Sequence, residues 1–166
     1  MTFLYLFVEG NDDERFLKSF CRSKYRGVEI RFVQYATLTG KQISSLIHAL
    51  PNFRHADYFF FADADGATVE AKIDIVKRKH PYCDESKIRI VQREIESWYI
   101  AGLSEGMCTK HKIKYIPHTD DLSKEKFDSM LPRGYTHISF QVEILKHYDV
   151  ELAKSRNTSF RNFAEK

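Results

Sequence analysis

Short apolar runs alternate with helical patterns along the first part of the chain. Residues 3–8 form a continuous apolar run, and residues 57–62 carry another; both are typical of strands buried on both faces of a parallel sheet. Residues 28–34 alternate apolar with polar side chains, and residues 88–91 are again strand-like. The pattern therefore predicts four strands.

Apolar residues recur at helical spacing after each predicted strand. The predicted helices begin near Asn11 or Asp12, run through residues 43–50 to Pro51, run from Val69 towards Pro81, and cover residues 94–101 before Gly102. Repeated strand–helix units predict an α/β fold with a central, mainly parallel sheet flanked by helices.

The pattern loosens after residue 102. Helices are expected at residues 124–130 and 139–147 and from Ser159 onward. We therefore expect one main domain over residues 1–102, with a small helical C-terminal extension over residues 103–166 that packs on the same domain.

Acidic residues follow two of the predicted strands. Glu9 comes after the first strand and Asp63 after the third, where an open parallel sheet presents residues to a ligand. Asp63 and Asp65 are two residues apart in nearly extended chain, so we expect both carboxylates on one side, with Gly66 turning the backbone away. Converging carboxylates repel unless they share a proton or a hard cation, and Mg²⁺ prefers such oxygens. The pattern thus predicts a divalent-metal site.

The segment Glu9-Gly10-Asn11-Asp12-Asp13, followed later by Asp63-Ala64-Asp65, resembles the signature motifs of the TOPRIM domain of topoisomerases, primases and some nucleases. The resemblance covers roughly residues 1–102 and implies a Rossmann-like fold. It also implies Glu9 as a general acid or base or as a metal ligand, Asp63 and Asp65 as ligands of Mg²⁺ or Mn²⁺, and Asp13 at or beside the metal.

Two later segments resemble the overcoming-lysogenization-defect (OLD) nucleases and their small stand-alone relatives. Residues 91–98 look like the acidic element of that family, which implies Glu96, and after it Glu94, as metal ligands. Residues 155–161 resemble the end of the small relatives, where Arg161, Arg156 or Lys154 would meet the scissile phosphate. The resemblance implies metal-dependent hydrolysis of nucleic acid and makes an ATPase partner credible. We expect DNA rather than RNA as the substrate.

Charge adds little by itself, because 26 basic against 23 acidic residues is an ordinary balance. Local basic positions are more informative. Lys41 follows the second strand and Lys110 and Lys112 lie in a basic stretch over residues 110–114, so we expect them, with Arg156 and Arg161, to contact nucleic-acid phosphates. Lysines on an exposed edge strand are the alternative for residues 110–114.

The cysteines and the apolar runs indicate where the protein works. The three cysteines are scattered, no leader-like segment precedes the first strand, and no apolar run is long enough to cross a bilayer. We therefore expect a reduced, soluble, cytoplasmic protein that does not use a membrane.

Several structural explanations compete with the metal site. Asp-Ala-Asp-Gly is also a common turn with a helix cap, and Glu94 and Glu96 could be the acidic first turn that stabilises a helix. His80 with Cys83 and Cys108 with His111 have spacings that suit a structural zinc.

Two other functions also remain open. A haloacid-dehalogenase-like phosphatase would use Asp63 as nucleophile; those proteins carry the motif on the first strand, and Glu9 would be unexplained. The domain could also be a non-catalytic nucleic-acid-binding or regulatory partner of an ATPase.

Overall fold

A computed structural model describes residues 2–165 as an α/β protein. The strands form one parallel sheet in the order β2-β1-β3-β4, which confirms the fold predicted from the sequence. Its strands are β1 (Thr2–Val8), β2 (Val28–Gln34), β3 (Ala56–Asp63) and β4 (Ile88–Val91). Its helices are α1 (Asn11–Lys24), α2 (Gly40–Ala49), α3 (Val69–Lys79), α4 (Glu96–Ala101), α5 (Glu105–His111), α6 (Lys124–Ser129), α7 (His137–Lys146), α8 (Val150–Arg156) and α9 (Thr158–Ala164).

The order of the strands creates a switch point beside β1. The chain moves from β1 to β2 on one side of it, and then returns to β3 on the other side. β1 pairs with β2 from Thr2↔Val28 to Val8↔Gln34, and with β3 from Phe3↔Ala56 to Phe7↔Phe60. In such sheets the crevice for a ligand opens beyond the carboxyl ends of the two strands at the switch point, here β1 and β3.

The chain divides into two compact units, and the first ends at Ile90. The sequence had predicted a division after residue 102. In the structure α4 belongs to the second unit. The reason is its packing, since α4 contacts α6, α7 and α8. The ring of Trp98 lies 5.4 Å from that of Phe160 and 5.5 Å from that of Phe163.

An apolar cluster in the first unit lies between the sheet and two helices. Phe7 and Phe60 from neighbouring strands pack with Ile43 and Ile47 of α2 and with Val76 of α3. α1 buries a separate set, Phe16, Leu17 and Phe20. The crossover from β1 to β2 and the crossover from β2 to β3 run in opposite directions along the sheet, so right-handed connections place α1 and α2 on opposite faces. The switch point is therefore supported from both faces.

The second unit contains helices that the sequence pattern did not predict. α5 and α8 are short, and each begins at a polar cap, Ser104 and Asp149, whose side chain accepts a hydrogen bond from the first turn. The basic segment over residues 110–114 is the end of α5 and the loop after it, so the edge strand considered for it is wrong. Lys112 ends the helix in the left-handed conformation, with φ +56°.

No helix between residues 2 and 165 has both the length and the apolar character of a transmembrane span.

Candidate functional site

Two acidic residues from the first motif lie at the carboxyl end of β1. Glu9 is exposed, and its carbonyl oxygen accepts a hydrogen bond from the Ala36 amide, at 3.3 Å. The Asp13 carboxylate accepts one from the Gly10 amide, at 3.1 Å. Asp13 is only 7% exposed, and burial raises its pKa to about 6, opposed by the hydrogen bond from Gly10 and reinforced by the charge of Glu9. Asp13 thus holds the backbone beside Glu9 and retains a proton more readily than an ordinary aspartate.

The second motif forms a tight turn instead of continuing β3. Asp65 and Gly66 both have left-handed backbone, with φ +52° and +83°, and the Ala67 amide donates to the Ala64 carbonyl at 2.9 Å. The expectation that Asp63 and Asp65 share one side of an extended chain is therefore wrong, because the strand ends at Asp63. The turn arises because Gly66 adopts positive φ without cost, and aspartate tolerates it better than most residues.

The turn points the Asp65 carboxylate at α3. Its Oδ2 lies 2.5 Å from Nζ of Lys72, whose side chain is 18% exposed while that of Asp65 is 62% exposed. An ion pair this open to water contributes little to stability. A metal cation could therefore displace Lys72 from Asp65 at little cost.

Tyr35 lies within reach of the charges of the predicted acidic residues. Its hydroxyl donates to the Phe61 carbonyl at 3.0 Å. Burial raises the pKa of Tyr35, and four negative charges raise it further: those of Glu9, Asp13, Asp63 and Asp65. Since Coulomb interactions weaken with distance, all four carboxylates lie within electrostatic range of this hydroxyl. No sequence motif indicated a role for Tyr35, which follows β2 in a single 3₁₀ turn.

A cavity of about 540 Å³ opens at the same place, and we call it the switch-point crevice. Its polar lining consists of Glu9, Tyr35, Asp65, Lys72, Lys79 and His80, and the rest consists of Gly40, Ile43, Phe60, Ala62, Ile75 and Val76. Nδ1 of His80 lies 3.0 Å from Oγ of Ser44. Burial, and then the charge of Lys79, lower the pKa of His80. The imidazole is therefore neutral at physiological pH.

Glu9 and Asp65 are the carboxylates that line this crevice, and they do not form a closed metal site there. Within the described part of the first unit, no three acidic, histidine or cysteine side chains bring ligand atoms within 4.8 Å of one another. Mg²⁺ keeps several waters when one or two carboxylates bind it, so an open arrangement suits it. The metal-ligand roles of Glu9, Asp13, Asp63 and Asp65 remain predictions.

The second unit holds a buried carboxylate next to a half-buried imidazole, and the two could bind a metal. Glu96 is 3% exposed, and its Oε1 lies 3.3 Å from Nε2 of His137. Nδ1 of His137 lies 2.5 Å from Oδ1 of Asp128, and its Nε2 lies 2.9 Å from Nε2 of Gln141. Carboxylate and imidazole are common metal ligands. The sequence missed His137 because it is far from Glu96 along the chain and lies in no motif.

Glu94 has a structural contact. Its carboxylate accepts a hydrogen bond from the Lys124 amide at the start of α6. A carboxylate there also interacts favourably with the helix dipole. Its predicted role as a metal ligand is not tested by this contact.

One of the predicted phosphate contacts is wrong. Arg156 is 3% exposed, and its guanidinium donates to the carbonyls of Ala101, Leu103 and Ile116. It also lies 4.2 Å from the centre of the Tyr115 ring. Arg156 joins segments of the second unit and is not accessible to nucleic acid.

The other predicted basic contacts are exposed. They are Lys41 in the first turn of α2, Lys110 and Lys112 at the end of α5, and Arg161 on α9. Lys110 and Lys112 line a second cavity of about 660 Å³ together with Lys114 and Arg133. The structure leaves these residues open to an anion, and their role stays a prediction.

The two candidate zinc pairs have other surroundings. His80 is beside Ser44, and Sγ of Cys83 lies 4.0 Å from the Tyr58 hydroxyl. His111 lies 3.9 Å from a carboxylate oxygen of Glu143. Neither pair belongs to a group of three ligands among residues 2–165, so neither forms a zinc site there.

Comparisons with known proteins give no match: no protein family, no curated protein and no solved structure is significantly similar to this chain.

Proposed function

We propose that this chain is a Mg²⁺- or Mn²⁺-dependent phosphodiesterase that cleaves nucleic acid, DNA rather than RNA, at the switch-point crevice. The observation that supports this proposal is that Glu9 and Asp65 line this crevice together with Tyr35, and that the charges of Asp13 and Asp63 also act on Tyr35. The crevice lies beyond the carboxyl ends of β1 and β3. In open parallel sheets this is where ligands bind. The resemblance of both acidic motifs to the TOPRIM domain supports the same chemistry.

Glu9, Asp63 and Asp65 would hold the cation in this proposal. When bound, Mg²⁺ or Mn²⁺ supplies the positive charge that polarises a phosphate and makes water a better nucleophile. Glu9 is exposed at the crevice and would accept the proton of the attacking water. Asp13 would position Glu9 through the amide of Gly10. Lys72, released from Asp65, would neutralise a phosphate oxygen.

The remaining parts of the proposal come from the resemblance to the OLD nucleases. Glu96 and Glu94 would contribute to a second metal, Arg161 would contact the scissile phosphate, and Lys41, Lys110 and Lys112 would contact phosphates farther along the strand. An ATPase would act with the chain. The three cysteines are unpaired and buried, which fits a reducing, cytoplasmic location.

A cleavage assay tests the proposal. Purified protein is incubated with single-stranded DNA, supercoiled plasmid and RNA, in Mg²⁺, Mn²⁺ or chelator. We expect metal-dependent cleavage that falls by about 100-fold or more in Asp63→Asn and in Asp65→Asn, because loss of even an outer metal contact costs 10- to 100-fold. Asp74→Asn, which removes an exposed carboxylate of α3 outside the crevice, is the matched control.

The other functions predict different results in that assay. A phosphatase would release phosphate from small phosphomonoesters and leave a trapped aspartyl-phosphate at Asp63. A binding module would retain nucleic acid without cleaving it in any metal. Either result would replace the proposed nuclease.

Metal binding can also be measured without a substrate. At a cation concentration of about one hundred dissociation constants, binding to the folded state adds roughly 2.7 kcal/mol to the free energy of unfolding. We expect the cation to raise the melting temperature of the natural protein and of Asp74→Asn, and to raise that of Asp65→Asn much less. Equal shifts in all three proteins would mean that the cation binds elsewhere.

A further inference from the structure

The switch-point crevice is larger than a metal site requires. Its volume is about 540 Å³. A divalent cation with six waters fills about 180 Å³, at roughly 30 Å³ for each water. The remaining space falls within the range of sites that bind small organic molecules.

The lining of the crevice has two chemically different parts. Glu9, Asp65 and Lys72 are charged, whereas Ile43, Phe60, Ala62, Ile75 and Val76 are apolar, and the ring of Phe60 lies against that of Tyr35. Lys79 adds a second cation to the lining. A nucleotide also has a charged and an apolar portion. Its phosphate can interact with a metal cation and with lysines, and its base can pack against apolar and aromatic side chains.

Two contacts hold the side chain of Tyr35 in place. Its ring stacks on that of Phe60, with centroids 4.9 Å apart and an angle of 10° between the planes. Its hydroxyl is tied to the Phe61 carbonyl at 3.0 Å, so the contact it offers to a ligand is its ring. Flat aromatic side chains fixed in this way are the usual platforms on which unpaired bases stack.

We propose that the switch-point crevice binds the nucleobase next to the cleaved phosphate, against the ring of Tyr35, so that the substrate is an unpaired strand or strand end. This inference rests on the proposed function for the identity of the reaction. A base inside a duplex is stacked and paired, and it must leave the stack before it can enter a protein pocket. The crevice therefore selects single-stranded over double-stranded nucleic acid.

A binding experiment tests the pocket independently of cleavage. Deoxyadenosine 5′-monophosphate and deoxyribose 5-phosphate are titrated in Mg²⁺ and followed by calorimetry and NMR. We expect the nucleotide to bind roughly 5- to 150-fold more tightly, which is what stacking one base on an aromatic side chain is worth. Equal affinities for the two probes would overturn the inference.

Variants at Tyr35 locate the base. Tyr35→Leu should remove most of the advantage of the nucleotide over the sugar phosphate, whereas Tyr35→Phe, which keeps the ring, should retain it. Tyr82→Leu, at a tyrosine 60% exposed and outside the crevice, is the matched control. If Tyr35→Leu does not fold, Ile75→Trp fills the crevice from α3 and should exclude the nucleotide while leaving the thermal shift by Mg²⁺ in place.

Cleavage then separates the failure of this inference from that of the proposed function. We expect single strands to be cut faster than duplex of the same sequence, and slower cutting beside an abasic position. Metal-dependent cutting that ignores both differences would overturn the base pocket and leave the nuclease. Base-dependent nucleotide binding without any cleavage would support the pocket and overturn the nuclease.

Discussion

The two units of this protein are organised by different kinds of interaction. In the first unit, neighbouring strands and two helices share an apolar cluster that includes Phe7 and Phe60. In the second unit, buried polar side chains join distant segments. Ser159 Oγ accepts from Nε1 of Trp98 at 2.8 Å, and Asn157 Nδ2 donates to Oγ1 of Thr119 at 3.1 Å. The apolar periodicity of the sequence reveals the packing of the first unit, but it does not reveal the polar contacts of the second unit.

Of the substitutions that test this comparison, one at Arg156 should change the free energy of unfolding most. Arg156→Leu would remove the donor from three carbonyls, two of them buried and that of Ile116 half-buried, and each unsatisfied buried group costs about 1–3 kcal/mol. We expect the free energy of unfolding to fall by about 4 kcal/mol. Urea unfolding followed by the fluorescence of Trp98, the only tryptophan, reports on the second unit.

The control for that experiment is Arg161→Leu, which removes an exposed arginine of α9 and should change the free energy by no more than about 0.5 kcal/mol. A loss below about 1 kcal/mol in Arg156→Leu would show that apolar packing, and not this guanidinium, organises the second unit.

Gly102 tests how closely the second unit is packed. A Cβ there would lie 2.3 Å from Cε2 of Tyr148, whose hydroxyl is fixed to the Trp98 carbonyl at 2.8 Å. The backbone, with φ −87°, is ordinary, so the glycine is needed for space alone. We expect Gly102→Ala to cost about 3 kcal/mol in thermal unfolding.

Gly106→Ala is the matched control, because its nearest neighbour would be Ser104 Oγ at 4.0 Å. An alanine inside α5 should stabilise the protein by up to about 1 kcal/mol. Opposite signs for the two glycines would support close packing around Tyr148, and equal effects would contradict it.

The sequence predicted most of the first unit because its signals are local. All four strands and the first three helices follow from apolar periodicity and from the polar residues that end each run. The positions of Glu9 and Asp63 after strands also follow from it. The geometry at Asp65 does not, because it depends on the positive φ of Gly66 and on Lys72 in the next helix.

The second unit was harder to predict because its determinants are distant in sequence. Arg156 looked like a phosphate contact, and only the fold shows that carbonyls near residues 101 and 116 enclose it. His137, and Tyr35 in the first unit, were missed because the acidic residues that they meet, such as Glu96 and Glu9, lie far away in the sequence. A single sequence shows what a residue can do, and the fold shows what it meets.

Asp13 tests whether the acidic site of the first unit costs stability. Its folded pKa of about 6 lies above the model-compound value of 3.8, so the native state binds the proton more readily than the unfolded state. Stability from this group is full below about pH 4 and is lost as pH rises through 6. In chelator, Asp13→Asn, which keeps an acceptor for the Gly10 amide, should therefore stabilise the protein at pH 8 and not at pH 4.

We expect that gain to be about 2 kcal/mol, because the shift corresponds to roughly 3 kcal/mol and the buried amide also loses hydration. Thermal unfolding from pH 4 to pH 8 measures it. Asp74→Asn, at an exposed carboxylate of the same unit, is the matched control. A constant difference between Asp13→Asn and the natural protein would mean that the carboxyl ionises freely in the fold.

Helix caps should give the smallest change in the free energy of unfolding. They compare the two units directly, because the same hydrogen bond occurs in both. Thr68 Oγ1 accepts from the Ala71 amide at 3.2 Å at the start of α3, and Ser104 Oγ accepts from the Met107 amide at 3.2 Å at the start of α5. Removing such an oxygen costs about 1 kcal/mol wherever the helix lies. We expect Thr68→Ala and Ser104→Ala to lower the free energy of unfolding equally, and Thr68→Ser to have little effect. If Ser104→Ala costs clearly more, then the short helices of the second unit depend on their polar ends, whereas α3 is held by its apolar face.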